Sequence, residues 1–354
     1  VTNAARALPD IDPASPLRDR SVLVTGGTGS FGNAFVRRAL DDGAARVAVF
    51  SRDELKQAHM RAAFANDERL RFFLGDVRDA ERVRWAMAGV DIVIHAAAMK
   101  RIEACEADPL EAIDTNIDGT RNVALTAIDE GVERAVLLST DKAPLASTLY
   151  GMTKAVAERL WIQSNVFAAG TSTKLSATRY GNVLGSRGSV LDRWRAQYAA
   201  GEPITITDER ASRFWMTIEQ AVDLVVLALE EMRGGEVFVP KVGSAPILDL
   251  ASAVVETPLF WPATGTIAPI PYAPGHICTG LRPGERLHET LISADEAANT
   301  YDRGGHYRIE PASCSWNEDR DPQGNSALVE AGFAYTSDTN PEQFTVEELR
   351  RLIA

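Results

Sequence analysis

The sequence predicts an α/β fold, a Rossmann-type doubly wound parallel sheet with a smaller α/β substrate-binding domain. Three observations carry that expectation. Short apolar runs of strand length alternate with helical patterns over the first half of the chain, without internal repeats, as expected of βαβ units. The first run, Ser21-Val-Leu-Val-Thr25, passes directly into glycines spaced Gly26-x-x-Gly29-x-x-Gly32. A later run, Arg134 to Ser139, stops abruptly in the polar stretch Ser139 to Lys154, STDKAPLASTLYGMTK. A buried parallel strand looks like this where it delivers side chains to its carboxyl end, the side on which open α/β sheets bind ligands.

Composition narrows the function classes. With 354 residues, 45% of them apolar and 24% charged, the chain can bury a large core and reads as globular. A net charge of −12 argues against a nucleic-acid surface, although a local basic pocket for phosphates is compatible with it. Cys105, Cys278 and Cys314 form no CxxC pair and the five histidines no HxxxH cluster, so neither disulfides nor a metal are expected. No apolar run reaches the roughly 18 residues of a membrane span, and the first residues lack the layout of a signal peptide. The expectation is a soluble cytoplasmic protein.

Residues 1–19, with Pro9, Pro13 and Pro16, read as a loose lead-in. The domain expected over 20–183 starts at Ser21. In the turn Gly26-Gly-Thr28-Gly29-Ser30-Phe31-Gly32 the glycines let backbone approach a pyrophosphate, which rests on the N-terminus of the helix predicted for Asn33 to Asp42. The second strand, Arg46 to Phe50, ends in Ser51-Arg52. An acidic residue about 20 positions past the glycines would favour NAD. Ser51, Arg52 and Lys56 instead suit a 2′-phosphate, and Asp53-Glu54 reads as the start of the next helix, so the expected cofactor is NADP. Strand three, Arg71 to Gly75, leads to Asp76-Val77, expected at the adenine. Strand four, Asp91 to His95, leads to Ala96-Ala97-Ala98, small enough for close cofactor approach. His95 itself reads as a core histidine. Lys100 is expected to face the site, and one long helix is predicted from Pro109 to Glu130.

Within the organising stretch, Tyr150 and Lys154 lie four apart at a helix start and so share a face. A phenol that loses its proton near neutral pH needs positive charge beside it, which Lys154 can supply. Thr140, Asp141 and Lys142 add a hydroxyl, a carboxylate and an amine at the strand end. A sixth strand is predicted from Leu175 to Tyr180, ending in Gly181-Asn182-Val-Leu-Gly-Ser-Arg187. From there the pattern changes to a smaller domain over 184–295, with some segments returning to the sheet. Arg187, Arg213 and Arg282 suit clamping a nucleotide diphosphate. Residues 296–354 read as a C-terminal extension with no chemical signal.

TGGTGSFG, the Tyr150–Lys154 pair and the two-domain length resemble the extended short-chain dehydrogenases/reductases. The strings SRDELKQ, STDKA with YGMTK, RYGNVLGSRGSV, SRFWMT and LRPGERLHE resemble more particularly the inverting UDP-N-acetylglucosamine 4,6-dehydratases, from about Ser21 to Ile292. The resemblance implies that Tyr150, assisted by Lys154, takes the proton of the sugar C4 hydroxyl while NADP⁺ takes the C4 hydride. It implies Lys142 as the base at C5, Asp141 as the acid at the C6 hydroxyl and Thr140 as a hydrogen-bond partner near C4. It implies Asn182, Glu285, the three arginines and Lys100 at the UDP-sugar, and a homo-oligomer. The chain departs from the family at Pro144-Leu-Ala-Ser-Thr148, where relatives carry an asparagine–proline turn, and in a longer segment over 255–279. Competing readings are a UDP-sugar C4 or C5 epimerase on the same scaffold, and an NADP-sensing protein without catalysis. The epimerase needs no acid and base at Asp141-Lys142, and a sensor needs only the glycine loop.

Overall fold

The computed structural model describes residues 15–186, 188–256, 276–316 and 326–353. These residues fall into two compact units. The first comprises those within 1–180, 219–241 and 291–334, the second those within 181–218, 242–290 and 335–354. The residues expected as a separate C-terminal extension, 296–354, are therefore divided between both units. Their link to each unit is long-range, His306–Ile309 pairing antiparallel with Val237–Pro240 and Gln343 bridging Ser244, and a sequence pattern does not disclose that.

The first unit is built on a sheet of ten strands among the described residues. Six of them, β1 (Ser21–Thr25), β2 (Arg46–Ser51), β3 (Leu70–Leu74), β4 (Ile92–His95), β5 (Arg134–Leu138) and β6 (Lys174–Thr178), run parallel in the order β3-β2-β1-β4-β5-β6. This is the nucleotide-binding order that reverses direction at β1 and opens a crevice at the carboxyl ends of β1 and β4. Val237–Pro240 continues the sheet in parallel beside β6, and His306–Ile309, Thr300–Asp302 and Ala327–Leu328 close it antiparallel. The central strands are apolar through their interiors because helices cover both faces. Val22, Val24, Val47, Val49, Ile92, Ile94 and Val136 pack with Phe35 and Leu40 and with the apolar helix Ile218–Glu231.

The crossovers that matter for the site are α1 (Ser30–Asp41), α2 (Glu54–Ala63), α3 (Ala80–Met87), α4 (Ile102–Ala107), α5 (Pro109–Ile113), α6 (Gly119–Asp129) and α7 (Leu149–Gln163). Helix α1 begins at Ser30, three residues earlier than the pattern indicated, because extended Gly29 serves as its N-cap. Asp53 caps α2, its carboxylate accepting from the Lys56 amide, as expected of the Asp53-Glu54 pair. The single helix predicted over 109–130 is interrupted. A π-helical turn at Asp114–Asp118 joins α5 to α6. It turns Thr115 and Asn116 into the interior.

The second unit has its own core, with Leu191, Trp194, Ile204, Ile206, Trp215, Leu250, Val254 and Leu349. Asn182–Val183, Ser212–Met216 and Ser244–Pro246 form one small sheet, and Ile204–Ile206 pairs in parallel with His276–Cys278. Arg187 and most of the long 255–279 segment lie outside the described residues.

Candidate active site

The glycine turn shows why its residues must lack a side chain. A Cβ on Gly26, whose φ is +66°, would lie 2.8 Å from the Ala97 nitrogen and 2.9 Å from the Ala96 carbonyl. On Gly32 it would come within 2.4 Å of the Gly27 Cα. The turn is thus closed against the Ala96–Ala98 segment, and Gly29 leaves the N-terminus of α1 with no side-chain cap and no acidic residue in its first turn. An anion meets backbone N–H groups and the positive end of the helix there. These features fit a dinucleotide pyrophosphate. Val77 is buried against Gly119, where a Cβ would fall 2.5 Å from its Cγ2.

The end of β2 carries Ser51, buried and hydrogen-bonded by Gln57, and Arg52, half exposed. The Arg52 guanidinium reaches Asp76 at 3.4 Å and Glu111 at 3.2 Å, and Lys56 pairs with Asp53 at 2.8 Å. Asp76, expected at the adenine, accepts from the Arg78 amide and guanidinium and so is an anchor for two arginines. Its partial burial would raise the carboxyl, but the bonds to Arg78 and the charge of Arg52 hold it below its ordinary value.

His95 is a core residue, as read from the sequence. Thr120 donates to the Asn116 carbonyl at 2.7 Å, so its oxygen accepts from His95 Nε2–H at 3.0 Å. Nδ1 therefore accepts from the Thr25 hydroxyl at 2.7 Å, and the ring stacks on Trp161. Desolvation, then the charge of Lys154, lower its pKa to about 3, so the ring stays neutral.

Beyond β5 the chain brings Thr140, Asp141, Lys142, Tyr150 and Lys154 together. Thr148 caps α7 by accepting from the Gly151 amide, which fixes where the helix starts and turns Tyr150 and Lys154 inward. Leu145, in the departing loop 144–148, takes the left-handed conformation at φ +50° with its side chain exposed. Lys154 is buried, its Nζ donating to the Leu138 carbonyl at 2.7 Å, and desolvation pushes its pKa down to about 8. Burial raises the Tyr150 phenol, while the charge of Lys142 opposes that rise. Thr140 and the Lys142 ammonium both donate to Asp141 Oδ1, at 2.9 and 3.0 Å. The other oxygen, Asp141 Oδ2, is buried without a hydrogen-bond partner among the described residues, as is Ser139 Oγ. Buried polar atoms are rarely left so unless a ligand supplies the partner.

Asn116 is the residue that sequence reasoning missed. Its amide bonds both the amide and carbonyl of Met99, at 2.8 and 3.0 Å, and donates to Thr153 at 3.0 Å. It thereby ties the segment after β4 to α7. The polar Thr115-Asn116 pair inside a helical pattern was the available signal.

In the second unit Arg213 is buried and committed. It donates to the Ser212 and Leu287 carbonyls and to Glu285 at 3.0 Å, with Glu289 at 3.6 Å. Glu285 also accepts from Thr207 and from the Arg282 amide. Asn182 donates to the Phe214 carbonyl at 3.4 Å, and Lys100, like Arg282, is exposed. Long-range pairing further gathers Glu209, His276 and Cys278, all exposed, which no sequence spacing announced.

A parallel sheet in this order, a glycine turn after β1 and a Tyr–Lys pair on the helix after β5 define an extended short-chain dehydrogenase/reductase. Residues 22–311 match the family described as polysaccharide biosynthesis protein, and the chain belongs to that family. It is 40% identical to a Campylobacter jejuni UDP-N-acetylglucosamine 4,6-dehydratase (inverting), over 94% of this chain and 97% of that one. It is also 39% identical to a Rickettsia akari protein named UDP-glucose 4-epimerase, over 95% of each. Among solved structures it resembles Pen from Bacillus thuringiensis, with a TM-score of 0.82, 33% identity, and coverage of 95% of this chain and 98% of that one.

Proposed function

We propose that the protein is an NADP-dependent UDP-N-acetylglucosamine 4,6-dehydratase, with inversion at C5. Relatives at nearly equal identity carry dehydratase and epimerase names, so overall similarity does not choose between them. The observation that carries the choice is the Asp141–Lys142 pair, with one carboxylate oxygen buried and unpartnered among the described residues. Epimerisation at C4 requires only that hydride leave and return. Loss of water across C5 and C6 requires a base and an acid in addition.

The glycine turn, Ala96–Ala98, Asp76 and Val77 would hold the dinucleotide, with Ser51, Arg52 and Lys56 at the 2′-phosphate. The carboxylate that would disfavour such a phosphate, Asp53, is occupied as a helix cap. When bound, the nicotinamide would supply the hydride acceptor for C4 and the hydride donor for C6. Tyr150, its phenolate favoured by the Lys142 charge and by the Lys154 ammonium one turn along the helix, takes the proton of the C4 hydroxyl, which Thr140 orients. The C4 ketone acidifies the C5 hydrogen. Moving one proton from Lys142 to Asp141 converts the ion pair into a neutral amine and a carboxylic acid with no change in total protons. The amine removes the C5 proton, the acid protonates the departing C6 hydroxyl, and the ion pair is restored. Solvent then supplies a proton to C5 on the opposite face, and Tyr150 returns to solvent the proton it took from the C4 hydroxyl, which closes the cycle. For the substrate we retain Lys100, Asn182, Arg187, Arg282 and Glu285 as contacts, with Arg213 acting by fixing Glu285.

The purified protein, given NADP⁺ and UDP-N-acetylglucosamine without a reductant, should release a sugar nucleotide lighter by one water, read by mass spectrometry. A product of unchanged mass and altered C4 configuration would establish the epimerase instead.

A further inference from the structure

Helix α7 buries a third ionisable group on the face that carries Tyr150 and Lys154. Glu158 lies four residues beyond Lys154, the spacing that stacks side chains one turn apart. Its carboxylate is gripped by Arg179, just past β6, through Nε at 3.1 Å and Nη2 at 2.5 Å. Arg179 in turn grips Glu296 at 2.8 and 3.0 Å and the Leu291 carbonyl at 2.9 Å. These five bonds use the whole donor capacity of a guanidinium. Arg179 is 3% exposed. With its charge divided between two carboxylates, it does not cancel Glu158 alone, and the charge of Glu158 acts on Lys154 one turn back along the helix.

We propose that Glu158, held by Arg179 and through it by Glu296, is the buried counter-charge that keeps Lys154 an ammonium beside Tyr150. It is a positioning residue for the hydride step, and its role in turnover rests on the reading above. Lys154, Glu158, Arg179 and Glu296 form a set of two cations and two carboxylates. Lys154, Glu158 and Arg179 are buried and Glu296 is partly so, and removing any one member leaves an uncompensated charge in the set.

The other groups around Lys154 do not supply this charge. His95, from β4, is neutral, and the Leu138 carbonyl that Lys154 bonds is uncharged. Tyr150 on the same helix and Tyr180 after β6 are both phenols raised by burial. Asp141, after β5, is engaged by Lys142 at 3.0 Å. Glu158 opposes the desolvation that draws Lys154 down.

The test reads Lys154 directly. Its side-chain carbon is followed by NMR through a pH titration of lysine-labelled enzyme, assigned by its loss in Lys154→Arg. In Glu158→Gln it should titrate about one pH unit lower, and Glu158→Asp should restore most of that. Single-turnover reduction of NADP⁺ by UDP-N-acetylglucosamine should match wild type on the acid side. The deficit should grow to about tenfold on the basic side, because only there does charge on Lys154 limit the active form. A merely structural loss gives a deficit independent of pH. Glu296→Gln, which leaves the α7 carboxylate intact, should shift Lys154 the same way by a smaller margin. This covers the case in which Glu158→Gln does not fold. An unshifted Lys154 in a folded variant overturns the proposal. Because the titration needs no substrate, it stands apart from the reading of the reaction, which fails if wild type reduces no cofactor.

Discussion

Two clusters of charge in this chain look alike in composition and differ in what their charges are committed to. Asp141, Lys142, Tyr150 and Lys154 follow one strand and open one helix, and one carboxylate oxygen there is left without a partner among the described residues. Arg213, Glu285 and Glu289 also set a cation against acids, but Arg213 is held by the protein's own oxygens, donating to two carbonyls and to Glu285 with Glu289 at 3.6 Å. The first arrangement leaves bonding capacity that an incoming ligand would fill, and the second spends its cation on neighbouring carbonyls and carboxylates. A buried charge therefore reads as chemical where its bonding is incomplete and as structural where it is complete.

The comparison is broken most severely by Asp141→Asn. Dehydration should fall by about 10²–10⁴-fold, the range for loss of a general acid, while reduced cofactor still forms from UDP-N-acetylglucosamine. Equal loss of both steps would show that Asp141 acts before elimination. Arg213→Met should act on stability, leaving Glu285 and Glu289 without their cation and costing about 3–5 kcal/mol in chemical denaturation. A variant as stable as wild type but unable to bind UDP would instead make Arg213 a ligand contact.

A smaller effect concerns His95, the neutral group between these extremes. Folded His95 titrates at about 3 against an ordinary 6.5, so the unfolded chain binds the extra proton between those values. Its contribution is complete above pH 6.5 and is lost as pH falls toward 3. By pH 5 the loss is 1.5 units, about 2 kcal/mol. His95→Gln should flatten the stability curve between pH 6.5 and 5 by about that amount, and an unchanged slope would contradict it. Smallest is Arg52→Asp, which should weaken NADP relative to NAD by about tenfold, roughly 1.4 kcal/mol. Dissociation constants for both nucleotides decide it, and an unchanged ratio removes Arg52 from the cofactor.

How much could be read in advance follows the same division. The glycine turn and Thr140 to Lys154 are local, because one strand end and one helix start fix their geometry, and both were legible. The π-turn at Asp114–Asp118 was not, because its residues keep a helical pattern while the bonding changes. Nor was the commitment of Arg213, whose partner Glu285 lies 72 residues away. The strands of 300–309 and 327–328 escaped because they are two to four residues long, and the hairpin over 300–309 joins the sheet through distant Val237–Pro240.

The central claim is that Lys142 removes the C5 proton, and Lys142→Met in deuterated water tests it most directly. The change keeps much of the apolar stem and deletes the amine. In a single turnover with UDP-N-acetylglucosamine, the variant should accumulate reduced nicotinamide and 4-keto sugar with no deuterium at C5. Wild type should release dehydrated product carrying deuterium there. A variant that still exchanges C5 and releases dehydrated sugar at near the wild-type rate would contradict the account.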